Sequence, residues 1–449
     1  QNLLTAYNSR EYKMKHIAGI VIALSVAVYW YLFTLPRIDI PPHHLNHTAL
    51  YIENFIPEND FKALNDIIRD MAEFPSNIDA DLKTGGFKAK HEHIGEAQPI
   101  QSDGTCSHPY LVPNVDRTLC ILPQRVDVGR HFIMTGGPDA IRESFDKMIS
   151  RVSSFGRYMF DVVDKYPTMA RLFAQEPFQK AAKSICPADQ QYLDPFQFNF
   201  IMQVPGQTVA THVDGVYFWG ANRRQFPQWL LACMAFSGLF NEQFIHQVQV
   251  VGYLHSWEVV DPAFTGGDFV YYNTNDPEPS VMHPKPRAGA LIDGTKILHA
   301  AQVYMKSVAA PVLDKNKQNV LKYVGNETWH LVVGDEVTNV YSSDDLRISI
   351  VYRARCFSSE EEKDRFYAQT DGSNMTLEFI LDKLKSGMSA KFTKQQLDEM
   401  STLDLAFALM DHYIKYPLPA PSSALVPYNY CALPKLLPWT KPIIDIVCH

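Results

Sequence analysis

The chain has 449 residues, 46% of them hydrophobic and 20% charged, with a formal net charge of −8. This composition suits a folded protein with a substantial core, and the length exceeds one average domain. The acidic balance and the lack of a long basic run argue against a nucleic-acid partner, because binding phosphates needs clustered Lys and Arg to displace counterions.

Residues 1–16 form an N-terminal tail carrying Arg10, Lys13 and Lys15. The run from Ile17 to Leu35 has no formal charge and holds Tyr29, Trp30 and Tyr31 near its end. As a helix it spans roughly 28 Å, close to the bilayer hydrocarbon thickness. Aromatics at an interface suit a membrane helix, so 17–35 is expected to be a single-pass transmembrane anchor. A signal peptide has a shorter apolar core followed by a small-residue cleavage site; here Pro36-Arg37-Ile38-Asp39 follows. With only Arg37 close behind the span, the positive-inside tendency directs the bulk of the chain to the non-cytosolic side, in the ER or Golgi or another organelle membrane. Glycosylation sequons begin at Asn46, Asn326 and Asn374; chance supplies about as many, so they add little to that topology.

Residues 36–48, with prolines, histidines and no periodicity, read as a linker off the membrane. A short strand and turn over 49–57 leads into a helix starting at Pro57, whose Phe61, Leu64, Ile67, Ile68 and Met71 recur at helical spacing. The remainder of 49–195 reads as mixed and helical: possible strands at 119–122 and 131–134, then a helical region over 139–185 broken near Pro167 and Pro177. From 196 to 357 the texture changes to short β-rich runs divided by Gly, Pro and Asn: 196–204, 247–254, 268–272, 290–292, 320–324, 330–333 and 346–353. Many short strands at this spacing predict an all-β sandwich or barrel. Helices return over 358–415, with Glu360–Glu362 suited to a helix N-terminus and a later helix over 393–415. The Pro-rich tail 416–449 reads as surface wrapping.

None of the seven cysteines forms a C-x-x-C pair, so a zinc ribbon or thioredoxin-type site is unsupported. Cys233, inside an apolar run, reads as a small core residue. Cys106 with Cys120, and Cys431 with Cys448, either close disulfides in an oxidising compartment or remain thiols.

The chemistry-bearing signals lie within 196–356. His212 and Asp214 stand at i and i+2 of an extended segment, so imidazole and carboxylate point to one side and can grip one cation. Two histidines and one carboxylate on one face leave three coordination positions open, as non-haem Fe(II) oxygenases require. A lone His-x-Asp is weak, since one is expected by chance. Its context is more specific: PGQTVATHVD (205–214), GGDFVYY (266–272), PRAGALIDGTKILH (286–299) and RIS (347–349) follow in order. Alternation sets Arg347 and Ser349 on one strand face, where guanidinium and hydroxyl can hold a carboxylate.

This ordered series resembles the prolyl-hydroxylase-like branch of the 2-oxoglutarate and Fe(II)-dependent dioxygenases, over residues 196–356 and in the opening stretch 51–57. The resemblance implies a mainly β fold, a double-stranded β-helix (jelly-roll) core with helical flanks, here joined to the one N-terminal transmembrane helix. It implies Fe(II) held by His212, Asp214 and His299, and 2-oxoglutarate as co-substrate, with ascorbate as an auxiliary reductant. Arg347 takes the far carboxylate and Ser349 assists. The carboxylate at 214 favours hydroxylation over halogenation, and a prolyl or lysyl protein side chain or a small molecule is the implied substrate. The chain departs from the pattern in two places. His299 and Arg347 are 48 positions apart where about ten is usual, so 303–344 is an insertion, with a hairpin through 320–324 and 330–333. Lys306, seven positions beyond His299, is the competing anchor. Gln203 stands where many members place a tyrosine; with Asn199 on the same strand face it offers hydrogen bonds to the co-substrate instead.

Other readings remain beside this one. His91-Glu92-His93 offers metal-type side chains, though a solvated loop is the plainer reading. His255, His283, Tyr217, Phe218 and Trp219 line a cleft or simply pack. The alternative function is a catalytically silent jelly-roll scaffold subunit with partners in a membrane protein assembly. A cupin-like binder without redox chemistry accounts for the metal residues but not for Arg347 and Ser349.

Overall fold

The computed structural model describes residues 40–77, scattered residues between 94 and 122, residues 145–416 apart from 161–164, 259–265, 277, 315 and 369–374, a few positions near 440, and Ser25. At the centre two antiparallel sheets face each other. The main sheet runs in the order Ala49–Ile52, Gly289–Ile292, Gln247–Tyr253, Arg347–Phe357, Tyr192–Gln203, Phe155–Phe160. The smaller sheet runs Ser280–Met282, Phe269–Tyr272, Leu298–Ala301, Val209–His212. The chain crosses between the sheets from Gln203 to Val209 and again on either side of the 247–253 and 289–292 strands, which is the winding of a double-stranded β-helix.

Period-2 alternation separates the two faces of the main sheet. Phe198, Phe200, Met202, Val250, Ile348, Ile350 and Tyr352 point outward into one apolar cluster with Leu64, Ile68, Leu172 and Phe178 of the flanking helices. Burying each such side chain stabilises the fold by about 1.5–3 kcal/mol, so the helices Glu58–Met71, Pro167–Ala174 and Glu176–Lys183 are held against this face. The alternate positions point into the barrel, where Gln197, Asn199, Gln203, Gln249, Arg347, Ser349 and Arg353 are buried beside a smaller apolar cluster that includes Val251, Val351 and Ile201.

The mainly β core with helical flanks matches the sequence reading, and the seven expected strands of 196–357 are all present. The insertion contains the expected hairpin, Asn319–Gly325 with Thr328–Val333, extended by Glu336–Ser342 on one side and Glu73–Pro75 on the other. Several segments differ from expectation. Phe155–Phe160 is a strand inside the stretch read as helical, because it pairs along Tyr192–Gln203 from Phe155↔Met202 to Phe160↔Gln197. The breaks expected near Pro167 and Pro177 are present, each proline standing in the first turn of a new helix, where a missing N–H costs nothing. Gln228–Ser237 is a helix within the β-rich region. It is apolar on every side, packed between Tyr272 and Leu298 of the smaller sheet and Leu384 and Leu409 of the C-terminal helices, so it carries no helical periodicity to read. The helix over 393–415 is two, Lys394–Asp398 and Thr402–Tyr413, the second capped by the Ser401 side chain.

Two covalent ties join the described parts: Cys106–Cys120, as the spacing allowed, and Cys186–Cys356, which spacing does not suggest. Cys233 is a buried thiol. The apolar run 17–35 (except Ser25), the strand at 131–134, His91-Glu92-His93, Cys431 with Cys448, the sequon at Asn374 and nearly all of the tail 416–449 lie outside the described residues. Among the described residues no helix is long and apolar enough to cross a membrane.

The segment read as a linker over 36–48 is packed from Ile40 onward. Ile40 and Leu45 belong to the apolar cluster around Gln228–Ser237, and the buried His44 Nδ1 lies 2.6 Å from the Lys296 carbonyl. Burial and then repulsion from His43 hold the His44 imidazole down to about 3. An imidazole depressed in this way binds fewer protons folded than unfolded between about 3 and 6.5, so stability falls as pH drops below 6.5. His44→Asn should flatten the acid side of the stability curve. The check is the urea midpoint of wild type and variant at pH values from about 7 to about 4.5; parallel curves would count against it.

Candidate metal centre

The smaller sheet builds the centre. Leu298–Ala301 pairs with Val209–His212 so that His299 lies directly opposite His212, and their rings are 4.4 Å apart between centroids. Asp214 follows just beyond the strand end, fixed by its backbone N–H donating to the Gly294 carbonyl at 2.8 Å. Asp214 Oδ1 is 3.8 Å from His212 Nε2, and one ligand atom from each of the three residues lies within 4.8 Å of the other two. Three donors from two segments thus converge on one point.

Their surroundings set their protonation and aim. His212 Nδ1 lies 2.7 Å from the Ala210 carbonyl, and His299 Nδ1 lies 2.9 Å from the Ile297 carbonyl. A carbonyl only accepts, so each ring carries its proton on Nδ1 and turns an unprotonated Nε2, on His299 within 3.2 Å of the Gln249 amide nitrogen, toward the centre, the tautomer a metal needs. Phe269 lies nearly parallel to His299, 5.4 Å between centroids. On Asp214, Oδ2 faces the Arg353 Nε at 3.7 Å, which leaves Oδ1 for a cation. Gly294 completes the cradle: a Cβ there would overlap Asp214 Oδ2. Hence the DGTK turn contributes a glycine for space, while Asp293 holds the turn through the Thr295 N–H and hydroxyl.

Deeper in the same barrel lies Arg347. It is buried, paired in register with Gln203, and its Nη1 donates to Gln203 Oε1 at 2.7 Å. Arg347 Nε and Gln203 Nε2 are buried without a hydrogen-bond partner, and the buried Tyr253 hydroxyl faces the same guanidinium. The guanidinium sits 5.2 Å from the centre of the Tyr253 ring. Burial pushes the Tyr253 phenol up, with Arg347 pulling the other way, so it remains a donor at neutral pH. Nearby, burial followed by repulsion from Arg347 holds His255 down to about 3, a neutral ring stacked on Trp257 at 3.8 Å. A buried donor left unsatisfied costs about 1–3 kcal/mol. Two of them side by side, beside a phenol donor, fit a carboxylate that accepts from them.

The other expected residues are placed differently. Ser349 donates its hydroxyl to the Ile201 carbonyl at 3.3 Å. Asn199 is four residues along the strand from Gln203, and its Oδ1 accepts from Gln197 Nε2 at 3.1 Å. Lys306 is exposed, so of the two candidate anchors only Arg347 is interior. His283 pairs with Asp268 at 3.0 Å and is half exposed. Tyr217 and Trp219 pack around Phe366 away from the ligands, and Phe218 packs against Phe240 and Phe244.

Sequence reading missed Gln249, whose amide nitrogen is 3.2 Å from His299 Nε2, along with Arg353, Tyr253 and Gly294. The signal was available for two of them: Arg353 is on the same strand face as Arg347, and Tyr253 alternates with Gln249. Their relevance follows only from the pairing of that strand with Gln247–Tyr253, which sets Tyr253 beside Ser349 and Gln249 beside Arg353.

Fold and site together define a double-stranded β-helix with a His-Asp-His metal centre and a buried arginine in one cavity. No protein-family profile matches the chain, nor does any curated protein. Solved structures with which it aligns include a Pseudomonas putida prolyl-4-hydroxylase, at 11% identity and TM-score 0.27 over 69% of this chain and 93% of that one. A Trichoplax adhaerens prolyl hydroxylase, in complex with a hypoxia inducible factor peptide fragment, aligns at 8% identity and TM-score 0.31 over 74% and 92%. HygX from Streptomyces hygroscopicus, with nickel and 2-oxoglutarate bound, aligns at 9% and 0.28 over 71% and 84%. Overlaps this loose carry no argument, and the functional reading rests on the residues above.

Gly294→Ala should weaken metal binding by about 10–100-fold, the usual effect of disturbing a residue that orients a ligand. Chelator competition with Co(II) measures it, and circular dichroism checks that the fold persists; unchanged affinity would count against the cradle.

Proposed function

We propose that this chain is a 2-oxoglutarate-dependent Fe(II) oxygenase that hydroxylates a C–H bond. The observation that carries the reading is the convergence of His212, Asp214 and His299 on one point in the barrel that also buries Arg347 with an unpartnered Nε. His212 and His299 would bind iron through Nε2 and Asp214 through Oδ1, on one face, leaving the other positions for co-substrate and oxygen. Arg347, Gln203 and Tyr253 would hold the far carboxylate, so that the keto end lies toward the metal. When bound, iron and 2-oxoglutarate supply the oxidising chemistry, with ascorbate as auxiliary reductant. The protein's own part is to orient the donors, to keep Asp214 to one oxygen through Arg353, and to exclude water around the buried His299.

A silent scaffold subunit in a membrane assembly is the second reading. It needs no buried unpaired donors, and a chain free of ligand would be more stable with apolar residues at 203, 253 and 347. The 17–35 run motivates the further proposal of a single-pass anchor holding the domain on the lumenal side, ER or Golgi, and the two disulfides are consistent with an oxidising compartment. Resemblance in sequence suggests a prolyl or lysyl side chain as substrate; fold and cofactor do not choose it.

Succinate release from 2-oxoglutarate with Fe(II) and ascorbate tests the activity. His212→Ala should abolish it, and Arg347→Met should raise the KM for 2-oxoglutarate by about tenfold or more, the loss of one charge-assisted contact. A wild-type rate no higher than that of His212→Ala would favour the scaffold. For the anchor, alkali-resistant membrane attachment should disappear on deleting 17–35; release of the intact chain by alkali would refute it.

A further inference from the structure

The glycosylation sequons are motifs that the metal centre leaves unused, and the fold separates them. Asn374 lies outside the described residues. Asn46 is exposed, but its segment is gripped by Asn273. The Asn46 N–H donates to the Asn273 carbonyl, while the Asn273 side chain accepts from the His47 N–H and donates to the His47 carbonyl. Asn326 stands instead at the tip of the insertion. With Glu327 it forms the two-residue turn between Asn319–Gly325 and Thr328–Val333, at φ of +50° and +55°. Both central residues of a type I′ hairpin turn take positive φ, which asparagine tolerates.

The turn by itself accounts for an asparagine at 326, so the argument needs more than the motif. Three observations supply it. Glu327 is turned back onto the domain, its carboxylate 2.9 Å from Arg69 Nη2 and accepting from the Ser343 hydroxyl. The neighbouring Asn326 is exposed, and its side-chain amide makes no hydrogen bond among the described residues. The Thr328 hydroxyl, at the position the sequon requires, donates to the Asn326 carbonyl at 3.2 Å, inside the turn itself. Finally, the outer face of this sheet lacks cover. Pairing sets Val340 beside His330 and Val337 beside Val332, opposite the face on which Trp329 and Leu331 pack into the core. Val324, Val337 and Val340 keep 51%, 51% and 60% of their surface exposed. Two of the three are on Glu336–Ser342, which is the edge of its sheet among the described residues. Apolar side chains on an open edge invite pairing with other chains, and a bulky hydrophilic cover removes that hazard.

Resting on the reading that the anchor holds the domain on the lumenal side, we propose that Asn326 carries an N-linked oligosaccharide, which shields the exposed face of the insertion. The donor is an oligosaccharide joined through diphosphate to a lipid. Asn326 Nδ2 attacks the anomeric carbon of the first sugar; the C–N bond forms as the C–O bond to diphosphate breaks, and the lipid diphosphate leaves. One amide proton passes to a base of the transferase, which reads the Thr328 hydroxyl.

The test expresses the full chain in eukaryotic cells with a secretory pathway. Peptide-N-glycosidase releases the glycan and converts its asparagine to aspartate, so mass spectrometry of the peptide carrying residue 326 locates the site. Wild type and Asn46→Gln should both show this conversion and gain mobility on gels after the treatment. Asn326→Asp suits the same turn but offers no amide nitrogen; it should lose the glycan at 326, as should Thr328→Val, whereas Thr328→Ser should keep it. Protease added to sealed microsomes reads the topology separately. Digestion of the domain there would reject the lumenal reading and the proposal with it. A protected domain with Asn326 bare, or with glycan on Asn46 or Asn374 alone, would overturn the proposal and leave the lumenal reading standing.

Discussion

The antiparallel pairing of Leu298–Ala301 with Val209–His212 is the constraint on which the site depends. Because side chains alternate along a strand, a slip of one residue would send His299 to the far face, into the apolar cluster occupied by Leu298 and Tyr272. The register is held by apolar pairs on that far face and by polar contacts on the near one. The same geometry explains why both histidines bond the carbonyl two residues earlier in the chain: each is aimed by its own strand. Asp214 lies past the strand end and needs separate supports, which Gly294 and Arg353 provide.

A barrel lined with arginine and amide side chains runs against the ordinary economy of folding. Its cost is offset on the other face of the same strands, where Phe198, Phe200, Ile348 and Ile350 are fully or almost fully buried against helices. One sheet thus serves as core on one side and lines the metal-ligand cluster on the other. Within the barrel the polar groups separate into two zones. Arg347, Gln203 and Tyr253 form one buried group in which Arg347 Nε and Gln203 Nε2 have no hydrogen-bond partner, while Gln197, Gln249 and Arg353 lie level with the metal ligands. Both zones sit on the same three strands, so a change that shifts the 347–357 strand would disturb both of them together.

The insertion between His299 and Arg347 shows why spacing alone is a poor guide. Its strands form a sheet of their own with Glu73–Pro75, and the 3-10 turn at Ser343–Asp345 returns the chain to Arg347 in register with Gln203. The tyrosine absent from position 203 has a counterpart at 253 on another strand, close to the same guanidinium. Spacing along the chain and position in space therefore disagree at both places: the 3-10 turn and the register set Arg347 beside Gln203, and Tyr253 meets the same guanidinium from another strand. The histidine-rich stretch after the apolar run is likewise not a spacer from Ile40 onward: His43 Nε2 lies 2.8 Å from the Ala235 carbonyl, and His44 is held by Lys296.

By itself the sequence marked most strands of the main sheet, through alternation and turn residues, and named His212, Asp214, His299 and Arg347 through their order along the chain. It could not reveal the helix Gln228–Ser237, whose uniform apolarity has no period, or the strand Phe155–Phe160, which exists through pairing. Nor could it assign Gln249, Arg353, Tyr253 and Gly294, since each acts on a residue 35 or more positions away. Those contacts are made by cross-strand register and sheet-to-sheet approach, quantities that only the tertiary structure decides, because they depend on how separate strands align rather than on what any one strand contains.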